Sequence, residues 1–259
     1  MKKRAFLSVA VLSLFLLFAA WESFAAEKTH TNSIGMEFIL IPAGEFVRTI
    51  PERRNDIGEV VPATRAAVTI STPFYLGVYE VTQVQWQTIM GNIPSKFKGR
   101  HNPVEQVSWD DAQEFIRRLN AKEGHNRYRL PTEAEWEHAA RAGTSAEYSF
   151  GDDESALGQY AWYTDNAGQK THPVGQKLPN PWGLYDMHGN VWEWVQDWYG
   201  EYPASSVPDP AGPSSGVYRV DRGGCWLSTE NPCRSASRGY FSADYRLPFI
   251  GFRLAFSPE

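Results

Sequence analysis

From residue 144 to residue 221 the chain is rich in Gly, Pro, Asn, Asp and Trp and shows no sustained period, either helical or strand-like. Apolar periodicity is the main sequence signal for regular elements, and here it is missing. A stretch of that length inside a compact domain is usually functional or is pinned by something, often a metal ion. The composition points the same way. Ten Trp accompany 21 Gly and 17 Pro, which fits a core of aromatics held by irregular loops and not a disordered chain.

Three helices are marked by their caps. Thr82 opens one with Gln85 as capping-box partner and Val81 placed to staple onto Trp86. Ser108 opens a second with Asp111 in the reciprocal position. Its Ala112, Phe115, Ile116 and Leu119 form one apolar stripe, and Gly124 closes it. Thr132 opens a third with Glu135 in the box, Trp136, Ala139 and Ala140 on one face, and Gly143 as the stop. Residues 36–41, 74–81 and 251–256 read as strands. No internal repeat and no second domain boundary is visible.

The N-terminus has the form of a secretory signal. Lys2, Lys3 and Arg4 precede an apolar run from Ala5 to about Trp21, and Ser23 and Ala25 supply small residues for cleavage. Residues 1–25 are therefore expected to be removed and the protein exported, periplasmic or secreted. No second apolar run of spanning length follows, so no membrane span is expected. The formal net charge of −5, without a Lys/Arg cluster, argues against nucleic acid as a partner.

The segment NPWGLYDMHGNVWEWVQDWYG (180–200) joins oxygen donors to glycine turns. Asp186 and Glu193 lie seven apart with Gly189 and Asn190 between them, and such a bend can offer several oxygens to a hard cation such as calcium. By spacing alone the pair reads equally well as turn caps or solvated carboxylates. Trp192, Trp194 and Trp198 read as one buried face of a strand. The six His show no ligand spacing, and no Ser-His-Asp order supports hydrolase chemistry.

IPAGEF, YEVTQVQW, PVEQVSWDDAQEF, RLPTEAEWEHAARAG, NPWGLYDMHGNVWEW, RGGCW, CRSASR and GFRLA follow one another in this order. The series resembles the formylglycine-generating enzyme, or sulfatase-modifying factor, family over residues 33–256. The resemblance implies an α+β fold: a single irregular domain, related to C-type lectins, with little regular secondary structure and bound calcium. It implies Asp186 and Glu193 as side-chain calcium ligands, with the carbonyls of Gly189 and Val191. A second site would fall on Asn166 and Gly168, with Trp162 near the place of a further family asparagine ligand.

The two cysteines take their meaning from the same resemblance. Family enzymes oxidise a substrate cysteine with O2 and one Cu(I) held by two thiolates, and soft thiolates select Cu(I). Position by position, the second ligand is Cys233, the first is Ser228, and Cys225 replaces the family's active-site serine. Cys225, Ser228 and Cys233 are thus the candidate catalytic residues, but the two-thiolate centre is broken because a serine hydroxyl is a poor Cu(I) ligand. A displaced Cys225–Cys233 copper pair is one alternative. A disulfide between them is a second, favoured by export and by the short spacing, and free thiols are the third. Arg222, Arg234, Arg238 and Arg253 read as structural ties to carboxylates and carbonyls.

Three functions stay open. The chain is an oxidation or maturation factor acting on a peptide or small molecule; a binding module displaying loops 228–231 and 239–246; or a formylglycine-generating oxidase with a rearranged metal site. A monomer is expected in each.

Overall fold

Each of the three helices begins where its cap residue stands. In this computed structural model, which describes residues 28–50, 53–54, 60–203 and 205–258, they are α1 (Gln83–Met90), α2 (Trp109–Glu123) and α3 (Glu133–Arg141). Thr82, Ser108 and Thr132 all form complete capping boxes with Gln85, Asp111 and Glu135. Each cap contributes about 1 kcal/mol by satisfying amides that have no partner inside the helix. The expected stop at Gly143 moves by one residue: the C-cap of α3 is Ala142, itself left-handed at φ 47°. A four-residue α4 (Leu157–Tyr160) follows. The segment 1–25, expected to be a secretory signal, lies outside the described residues. Among the described residues no helix is long and apolar enough to cross a membrane.

The strands are short and fall into separate small sheets. One has the order β1-β2-β7-β13, from Thr29–Thr31, Glu37–Ile41, Phe74–Gly77 and Ala255–Phe256. A three-stranded sheet joins β3 (Gly44–Ile50), β6 (Thr64–Ile70) and β9 (Val207–Pro208), and β4 (Arg53–Arg54) pairs β5 (Val60–Val61). The central sheet has the order β11-β10-β8-β12, from Arg238–Ser242, Tyr218–Arg222, Trp192–Trp198 and Ile250–Phe252. The single strand expected over 251–256 is in fact two, in two different sheets, broken at Arg253 and Leu254. That break turns the last segment from one sheet to the next.

β8 is the element that organises the long aperiodic segment. Its neighbours on both faces are core: Trp194 packs with Trp86, Phe115 and Phe252, and Val195 with Trp136, Leu184 and Val220. A strand buried on both faces loses the polar alternation by which strands are recognised. Trp194 is wholly buried, whereas Trp192 and Trp198 are half-buried. Trp192 packs against the same core cluster as Trp194, and pairing with β10 is irregular between Arg219 and Asp221. The Arg219 guanidinium lies 3.5 Å from the Trp198 ring centroid and 3.7 Å from that of Trp109, a cation–π arrangement.

Candidate functional site

The turn before β8 is forced into shape by two left-handed residues, Asp186 at φ 58° and Asn190 at φ 65°. Gly189 is required between them, since a Cβ there would come within 2.4 Å of the Trp162 carbonyl oxygen. Asn190 fastens the turn to its surroundings. Its amide N–H donates to Trp162 O, its Oδ1 accepts from the His172 N–H at 3.0 Å, and its Nδ2 donates to Glu80 Oε2 at 2.9 Å.

Three buried carboxylates meet here: Glu80, Asp186 and Glu193. Burial, then the charges of Asp186 and Glu193, push Glu80 well above the usual carboxylate range. Burial pushes Asp186 up to about 6. Asp186 Oδ2 accepts the Gly175 N–H at 2.7 Å, while its Oδ1 is buried without a partner. Glu193 is differently placed. Arg253 donates to both its oxygens at 2.7 Å, and Trp136 Nε1 donates to Oε2 at 2.8 Å. Among the three carboxylates Arg253 hydrogen-bonds only Glu193, so Asp186 has no direct cationic partner, and its orphaned oxygen fits a hard cation.

The rest of the expected calcium set fits less directly. Glu193 is committed to Arg253, and among the described residues no group of three or more His, Cys, Asp or Glu is placed to hold a metal ion. Backbone carbonyls, as proposed for Gly189 and Val191, would have to supply most of the oxygens. Glu80 belongs to the cluster, yet nothing in its spacing connects it with residues 186–193. In the second region Asn166 is turned inward. Its Oδ1 accepts from the Tyr163 N–H at 3.0 Å and its Nδ2 donates to Ala161 O at 2.9 Å, while Gly168 takes a left-handed turn at φ 59°. Trp162 presents a carbonyl to Asn190 and stacks its ring on His172 at 3.8 Å.

The cysteines sit in the loop after β10. Cys225 N–H donates to Ser228 Oγ at 3.0 Å, and Cys225 Sγ lies 3.4 Å from the same hydroxyl. Cys233 ends a short 3-10 turn, Asn231–Cys233, in an apolar cluster with Tyr148, Leu157 and Ala161. Its carbonyl faces His188 Nδ1 at 2.9 Å, and Ser149 Oγ lies 2.8 Å from His188 Nε2. The expected disulfide is not formed: both cysteines are free and buried. The physical reason is local. Cys225 is drawn to Ser228, while Cys233 Sγ is tucked under Gly224, where a Cβ would come within 2.7 Å of the sulfur. Burial pushes both thiols up, Cys233 most. A two-thiolate copper centre does not fit these residues, because the first ligand position holds a hydroxyl already engaged by its neighbour.

Three of the four singled-out arginines are ties. Arg222 donates to Glu137 and to the Ser235 and Ala236 carbonyls, Arg238 to Glu133 and Gly200 O, and Arg253 to Glu193, Gly77 O and Tyr185 O. Arg234 also has partners, the Tyr148 hydroxyl and Glu147 at 3.6 Å, but it stands at a cleft.

The model of the sulfatase-modifying factor enzyme 1-like domain matches residues 23–258. The chain belongs to the sulfatase-modifying factor family. Among relatives of this sulfatase-modifying factor domain, a protein named chaperone protein LppX from Paenibacillus barcinonensis is 32% identical, over 93% of this chain and 97% of its own length. The formylglycine-generating enzyme of Streptomyces coelicolor is 37% identical over 62% of this chain, which spans only 55% of that relative. The solved structure of Treponema denticola variable protein 1 superposes with a TM-score of 0.78, at 34% identity over 89% of this chain and 99% of the other.

Proposed function

We propose that this chain is an exported sulfatase-modifying factor homologue that binds a polypeptide client and assists its maturation without two-thiolate copper chemistry. The observation that carries this reading is Ser228 in the first ligand position, hydrogen-bonded to Cys225, with both thiols buried and protonated. An oxidase of the family type needs two ionisable, converging thiolates. Similarity to a relative named a chaperone along nearly its whole length supports a client-handling role. Calcium belongs to the same reading as a structural ion at the turn before β8, held by Asp186 with help from Glu80 and the carbonyls of Gly189 and Val191. There it would partner the Asp186 carboxylate and lock the turn, with no part in bond making.

A second reading, a binding and display module, is favoured by one observation. Tyr218, Tyr240 and Tyr245 are exposed on or beside the edge strand β11, with the Tyr240 ring tilted at 40° to that of Tyr199 and 4.2 Å from it. Tyrosine gives large contact area at low entropic cost, as in paratopes.

Anaerobic Cu(I) titration of the reduced protein tests the proposal. No complex tighter than about 1 nM should form, a threshold near 12 kcal/mol. The paired change Ser228→Cys with Cys225→Ser should create such a site. Tight Cu(I) binding by the unaltered protein would instead support a rearranged oxidase.

A further inference from the structure

A cleft of about 430 Å³ opens beside the C-terminal end of α3, between the β3–β6 hairpin and residues 234–237. Arg65, Arg141 and Arg234 line it, and Glu147 is its single carboxylate. Three guanidiniums against one carboxylate is unusual on a chain of net charge −5. The other described cleft of similar size, about 400 Å³, has the opposite balance, with Arg48 and Arg238 against Glu133, Asp197, Glu201 and Asp209.

Below the surface the arginines are held by buried carboxylates. Arg141, Arg48 and Arg222 all converge on the buried Glu137 at 2.9–3.0 Å. Glu133 lies a further 3.6 Å from Arg222, so these arginines are shared between two buried carboxylates, although Arg48 Nη2 and Arg222 Nε are buried without partners. At the rim, Arg234 Nε is also buried without a partner, while its guanidinium interacts with the Tyr148 hydroxyl and reaches Glu147 at 3.6 Å. Among the described residues Arg65 is exposed and has no carboxylate partner. Ser145 and Ser237 add hydroxyl-bearing residues to the walls, and Ala146 and Ala236 add small apolar ones.

We propose that this cleft binds a phosphate or sulfate ester, the doubly or singly charged oxyanion lying between Arg65 and Arg234 and the organic group filling the remaining volume. The planar guanidinium fork matches the oxygens of such groups two at a time. The volume lies in the range of small-molecule sites and is far more than a bare oxyanion needs. Arg141 acts from below as a fixed charge, its donors already occupied by Glu137 and the Ala146 carbonyl. The inference does not depend on the client-binding reading, since the cleft uses none of the residues in that argument.

The test is calorimetric titration of the full chain with phenyl phosphate and with phenyl sulfate, at ionic strength held constant with chloride. Saturable binding of either ester is expected, and which of the two binds tighter identifies the source of the oxyanion. Arg65→Gln and Arg234→Gln should each weaken binding by about tenfold, the scale of one charge-assisted hydrogen bond. Both side chains are at least partly exposed, so the variants should melt with the wild type, which keeps a loss of binding distinct from unfolding. No binding above the chloride control, or wild-type binding in both variants, would overturn the assignment.

Discussion

Arg253 and Glu193 form a two-pronged ion pair in the interior, Nε to Oε2 and Nη2 to Oε1, each at 2.7 Å, with both side chains fully buried. The pair ties β8 to the break between β12 and β13, so it joins two sheets. Removing one partner strands the other charge in the core. Arg253→Met should therefore destabilise the fold by about 3–5 kcal/mol, read by urea unfolding. The cost should be the same with and without chelator. A cost that appears only with calcium present would mean that Glu193 serves the ion and not the arginine.

Calcium should raise the melting temperature through the turn at 186–191. At a free concentration 100 times its Kd, an ion bound only by the folded state adds about 2.7 kcal/mol. Asp186→Asn should remove most of that increment, because the orphaned Oδ1 is the oxygen still free to bind. Identical melting curves with and without chelator, in protein first shown to be metal-loaded, would end the calcium proposal.

The two thiols should resist alkylation in the folded protein. Both are buried and both are held above their ordinary range by that burial, and it is the thiolate that reacts. A thiol reagent at pH 8 should label neither at an appreciable rate before denaturant is added and both after it. Rapid labelling of Cys233, or no free thiol in the denatured, unreduced protein, would contradict the arrangement of residues 223–233.

Asp197 gives the fold a measurable pH dependence. Burial first, and the neighbouring Glu133 charge second, push its carboxyl up to about 7, while its Oδ2 accepts the Glu133 N–H at 2.8 Å. Its folded value lies above its unfolded one, so the folded state holds the extra proton. Its contribution is complete below about pH 4 and is lost as pH rises toward 7. Relative to Asp197→Asn, the wild type should lose on the order of a few kcal/mol between pH 4.5 and 8. His188 has the opposite sign, being held down to about 4 by burial, so the comparison has to be made between the two proteins at each pH. Parallel stability profiles would show that Asp197 stays ionised.

What is local, and what is written as a motif, is legible in the sequence. Three capping boxes and their apolar stripes locate α1, α2 and α3 to within a residue, because a cap and a 3.6-residue period act within a few positions. The ordered motifs from IPAGEF to GFRLA likewise carried the family. Where charges find their partners depends instead on long-range folding. Glu193 reads in sequence as a free oxygen donor, yet it is claimed by Arg253, 60 residues away. Glu80 reads as one residue of a strand, yet it meets a turn 110 residues on through Asn190. The fate of the cysteines was decided in the same way: Cys225 is held by Ser228, while Cys233 lies under Gly224 against Tyr148, so a short spacing did not become a bond. Burial and pairing of polar groups are set by long-range contacts, and no local pattern encodes which partner arrives.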